Sequence, residues 1–166
     1  MLAILLSLPI AGLIAWAIWD AYVKTKPGPA LPEPIPLGNT LGWKYRGGNP
    51  FQLLRAADAA VDALHALPSC TQAQVDGALR GLTVIVMPTS PFSDPVAGTG
   101  TMMTGCAWAP TRTIWVDPAL HNLVHEPEHI IGALVLGDED ADHGSWPARG
   151  FDKAETAYKA GLPYTQ

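Results

Sequence analysis

Hydrophobic and polar positions divide the chain into three stretches. From Met1 to Trp19 no side chain is charged, and only Ser7, Pro9 and Gly12 interrupt the apolar run. As one helix this stretch would span about 28 Å, close to the hydrocarbon core of a bilayer. Trp16, Trp19 and Tyr22 gather at one end, as an interfacial aromatic belt does. From Pro27 to Gly38 a proline recurs at nearly every second or third position. Such a run is neither helix nor central strand; as polyproline II it would reach roughly 35 Å. The pattern of a folded domain begins at Asn39. The expected organisation is a transmembrane anchor over residues 1–23, a proline-rich linker over 24–38 and one globular domain over 39–166.

Within the domain the pattern predicts an α+β fold with a short antiparallel or mixed sheet. Asn49 caps and Pro50 opens a helix through Leu67, with Phe51, Leu54, Val61, Leu64 and Leu67 available for burial. Thr71 starts a second, short helix that ends near Gly81. Leu82 to Met87 reads as a buried strand closed by Pro88. Pro88 to Gly100 is a long loop of turn residues, either the rim of a cleft or a surface hairpin. Met102 to Trp108, a turn at Ala109-Pro110-Thr111, and Arg112 to Val116 read as a hairpin. Asp117 is an N-cap and Pro118 a first helical residue for a helix from Ala119 through Leu136, stopped by Gly137. A last helix runs near Asp152 to Ala160 and ends at Gly161 and Pro163.

The long helix carries the chemistry. His125-Glu126-Pro127-Glu128-His129 reads as HExxH. On a helix, imidazoles four residues apart lie one turn apart on one face, where both can bind one Zn²⁺. The glutamate between them is placed to act as general base on a metal-bound water. Pro127 breaks a helix interior, so either the helix kinks there or a new helix starts with Pro127 in its first turn. His121, His125 and His129 would form one stripe. Its ends are about 12 Å apart, so a single metal takes two of the three, and the pair with a glutamate between them is preferred.

With strands before it, this helix resembles the upper half of a zincin metallopeptidase. The likeness covers about Leu82 to Trp146 and rests on His125, Glu126 and His129; the family's motif normally has no proline inside it. The resemblance implies a Zn²⁺ site with a third protein ligand downstream. His143 is the favoured candidate, with Asp142 and Asp138 next, and a carboxylate such as Asp140 or Asp142 would orient a ligand imidazole. It also implies Glu126 as general base, a peptide or protein substrate extended along an edge strand at Met102 to Trp108, and a second oxyanion donor among Tyr158, Arg149 and His121. Ser90 and Ser93 lack any nucleophile motif.

The net charge is −5, none of it on side chains of the apolar stretch, and no basic patch appears, which excludes a nucleic-acid partner. Cys70 and Cys106 read either as one disulfide or as two reduced small hydrophobes. Lys24 and Lys26 after the apolar span place the domain in the cytoplasm by the positive-inside rule, whereas the even cysteine pair favours an extracytoplasmic domain. The latter side is preferred, since a tethered peptidase more often acts there. The expected function is a single-pass, membrane-anchored zinc peptidase. The alternatives are a non-catalytic, membrane-tethered binding or assembly module of an envelope or virus particle, and a histidine stripe lining a helix contact without metal.

Overall fold

The computed structural model describes residues 32–98, 100–138 and 143–161. Ile35–Pro36 (β1) pairs antiparallel with Lys44–Arg46 (β2). The chain then passes Gly47, whose φ of 76° and contact with the Val86 carbonyl leave no room for a Cβ. Asn49 accepts from the N–H groups of Phe51 and Gln52 and starts α1, Pro50–His65. Thr71 and Gln74 form a reciprocal capping box at α2, Gln72–Leu79. These two helices make the crossover to Thr83–Val86 (β3), which lies parallel to β2. Phe92–Ser93 (β4) and Met102–Met103 (β5) form a separate antiparallel ribbon. Gly105–Trp108 (β6) turns through a 3₁₀ turn at Ala109–Thr111 into Thr113–Val116 (β7).

The main sheet has the order β1-β2-β3-β7-β6. Its three central strands are parallel, and each edge strand runs antiparallel to its neighbour. Side chains of β3 and β7 alternate: Val84, Val86, Ile114 and Val116 are buried, while Thr83, Ile85, Thr113 and Trp115 stay partly open. The buried set meets Leu53, Leu64, Leu79, Leu123 and Ile130 in one core. Each such side chain contributes on the order of 2 kcal/mol of burial. After β7 come α3, His125–Ile131, a π-helical turn at Gly132–Leu136, α4, Trp146–Arg149, and α5, Phe151–Gly161. Helix α3 packs on β6, β7, α2 and α5, so it lies beneath the sheet's antiparallel edge.

Several expectations are corrected. The helix foreseen from Ala119 begins only at His125. Leu120 takes φ 62°, and its carbonyl accepts the Tyr158 hydroxyl at 2.7 Å, which breaks the path from Asp117. The proline-rich stretch is not a spacer as far as Gly38: Ile35–Pro36 is a strand, and Leu37 is buried in the core. Of the two readings left open for the cysteines, the reduced one holds: Cys70 and Cys106 are free thiols.

The transmembrane part of the expected fold class is also corrected. No helix among the described residues is long and apolar enough to cross a membrane. The longest, α1, has 16 residues and carries Arg55, Asp58 and Asp62, so it is short for a bilayer and polar along one face. Met1 to Trp19, on which the anchor rested, lies outside the described residues. The architecture is α+β with a small mixed sheet and helices, and the single-pass membrane placement is set aside.

Candidate metal centre

Pro127 is the third residue of α3, inside the first turn. The amide hydrogen it lacks would be unpartnered there in any short helix, so the proline ends the preceding turns without disturbing the motif. Of the two ways to accommodate it, the chain uses the fresh start. His125 and His129 therefore keep helical i, i+4 spacing. His121 precedes the helix; its half-exposed side chain lies 3.5 Å from Asp117, and it takes no part in the cluster.

His143 joins the two helical histidines from the far side of a loop. Gly137, at φ 64°, ends the π-helical turn. Asp138 then braces the returning chain through Ser145 Oγ and Arg149 Nη2, both at 2.9 Å. The three rings lie 5.0 to 5.1 Å apart between centroids. Each offers a nitrogen within 4.8 Å of the other two, an arrangement that could hold a metal ion. His129 Nε2 and His143 Nε2 are 3.3 Å apart. Two nitrogens bound at about 2.05 Å with a tetrahedral angle between them would stand about 3.3 Å apart, the separation of this pair. Trp146, nearly fully buried, floors the triad with its ring 4.1 to 4.9 Å from all three imidazoles.

His125 is oriented from behind. Its Nδ1 lies 2.8 Å from Glu155 Oε1 on α5, and Glu155 Oε2 accepts from Lys159 Nζ at 2.7 Å. The hydrogen bond to His125, with help from Lys159, holds the Glu155 carboxyl at about 2, so it stays ionised and fixes the imidazole's tautomer.

Glu126 lies in front, 3 % exposed, on the wall of a cleft of about 530 Å³ that opens over the triad. Strand β6 forms the opposite wall, and Pro110, Ile130 and Ala133 extend it. Gly105 makes room for the acid: a Cβ there would collide with Glu126 Oε1. Burial, and then the charge of Glu155, push the Glu126 carboxyl up to about 8. Cys106 shares the cleft wall, where burial and the Glu126 charge raise its thiol to about 11, so it stays a protonated, weakly nucleophilic group.

The structure thus brings His125, Glu126, His129 and His143 together. Asp138 is committed to the loop brace, and Asp140 and Asp142 lie outside the described residues. Among the foreseen oxyanion donors, Tyr158 is spent on the Leu120 carbonyl and Arg149 on Asp138. Glu155 was not foreseen. Its signal was faint: an acid in the last helix, one turn before Lys159, on an element whose contact with α3 is a matter of tertiary packing. No protein-family model, curated protein or solved structure matches the chain.

The buried acids set a pH dependence for chelator-treated protein. Glu126 and Glu128 are both raised, chiefly by burial, to about 8 and about 10. Above the ordinary carboxylate range the unfolded chain has released these protons and the folded chain still holds them. Stability therefore falls as pH rises from about 5 to 8. Glu155 acts oppositely: its contribution is present above its ordinary range and is lost as pH falls towards 2. Thermal melts across this range should show the highest midpoint near the ordinary carboxylate pKa. A midpoint that climbs steadily from pH 5 to 8 would contradict the assignment.

Proposed function

We propose that the chain is a zinc-dependent peptidase of the zincin type. The observation that carries this reading is the convergence of three imidazoles on one point at the floor of an open cleft, with a buried glutamate from between two of them on the cleft wall. His125, His129 and His143 would hold the ion. Three neutral nitrogen donors suit Zn²⁺, which supplies a Lewis acid that polarises a carbonyl and makes water acidic near neutral pH.

The chain's own groups account for the rest. Glu126 faces the cleft beside the histidines; in its ionised form it would take a proton from water and return it to a leaving amine. Strand β6 ends the sheet order, so its outer edge is open to an extended peptide, which would pair with it as one more strand. Glu155 keeps His125 in one tautomer while the proton moves elsewhere. The open cleft distinguishes this arrangement from a purely structural zinc site, which is closed by protein ligands.

The test is hydrolysis of an unfolded protein substrate by zinc-loaded full-length chain. Cleavage that stops with a chelator and returns with zinc is the expected result. Absence of cleavage by a protein shown to carry zinc would favour the non-catalytic binding module.

A further inference from the structure

Glu128 has no role in the hydrolytic scheme, yet it is 0 % exposed, and neither carboxylate oxygen has a hydrogen-bond partner among the described residues. An apolar side chain would fill the same space without the desolvation cost, so the acid calls for a partner. Its surroundings supply half of a site. A Glu128 oxygen, a Glu155 oxygen and a ring nitrogen of His125 lie within 4.8 Å of one another. His125 turns Nδ1 to this side, 2.8 Å from Glu155 Oε1, and an imidazole has a second nitrogen for the triad. Glu155 does not satisfy Glu128 in this structure: its two oxygens already receive His125 and Lys159, and no hydrogen bond joins the two acids.

We propose that His125, Glu128 and Glu155 form a second divalent-cation site, buried between α3 and α5 and joined to the first through the His125 ring. One imidazole and two carboxylates are a ligand set for Zn²⁺ or Mn²⁺, and the two negative charges balance the ion. The ion would stand where Nδ1 otherwise carries its proton, and it would give Glu128 the partner that it lacks among the described residues. Neither Glu128 nor Glu155 lines the cleft, so this cation is structural. It clamps α3 to α5 and sets the pose of His125. The site shares one residue with the peptidase reading and does not depend on hydrolysis.

The experiment is zinc content of the full chain after saturation and removal of unbound metal. The wild type should hold about two ions per chain, with about one in Glu128→Gln and about one in His143→Ala. A wild type holding one ion, unchanged by Glu128→Gln, overturns this site and leaves the triad standing. One ion that is lost in Glu128→Gln and kept in His143→Ala supports this site and overturns the triad instead. Should Glu128→Gln fail to fold, Glu128→Leu fills a similar volume without a ligand atom. Its zinc-induced rise in melting temperature should be smaller than that of the wild type, and an equal rise overturns the proposal.

Discussion

Glu126→Gln is expected to lower hydrolysis of an unfolded substrate by about a hundredfold or more, with zinc content and melting temperature nearly unchanged. The amide keeps the size and most of the hydrogen bonding of the acid, so the substitution removes the base and little else. Its position makes the loss specific: the carboxyl is almost fully buried, faces the cleft and lies against Gly105. Gly105→Ala is the companion, because a Cβ there would drive into Glu126 Oε1 and displace the carboxyl without touching any histidine. It should cost at least about tenfold in hydrolysis while the zinc stays bound. Activity that survives both changes would place the base elsewhere. A zinc-loaded wild type without activity, with Glu126→Gln silent, would leave the binding-module reading in force.

The parts of this architecture that are local in sequence were legible before the structure. Asn49 and Thr71 cap the helices they were expected to cap. The hairpin around Ala109-Pro110-Thr111 forms between Gly105–Trp108 and Thr113–Val116, whereas Met102–Met103, expected in its first arm, pairs with β4 instead. The spacing of His125 and His129 needs only one turn of helix, and the fold supplies it. His143 was within reach because it is a histidine in the polar stretch that follows the helix, with glycines available for the return.

What was not legible depends on tertiary contact. The start of α3 was misplaced because periodicity and the Asp117-Pro118 pair both favoured an earlier beginning, whereas Tyr158, thirty-eight residues away in sequence, captures the Leu120 carbonyl. Asp117 keeps part of its foreseen role, since its side chain still accepts from the His121 N–H. Glu155 was hidden for the same reason: nothing near it in sequence marks it as the partner of His125. Residues 140 and 142 were preferred as orienting carboxylates because they neighbour His143 along the chain. Orientation of His125 comes instead from a helix that packs against its back.

His129→Ala is expected to abolish hydrolysis and to reduce zinc content by about one ion per chain, since it would remove one of the three ligands of the proposed site. His143→Ala separates the third ligand from the first two. The remaining pair, on one helical turn, still offers two imidazoles, so zinc affinity should fall by at least about a hundredfold rather than vanish, and a large excess of zinc should restore part of the activity. The loop argument sharpens the expectation. His143 is delivered by a brace in which Asp138 holds Ser145 and Arg149, and none of these three offers a ligand to the triad. Trp146 gives a readout independent of activity, because its ring lies within 5 Å of all three imidazoles. Zinc should alter tryptophan emission in the wild type, do so only at much higher concentration in His143→Ala, and lose most of its effect in Trp146→Phe. An unchanged zinc titration in His143→Ala would remove His143 from the ligand set, whatever the activity.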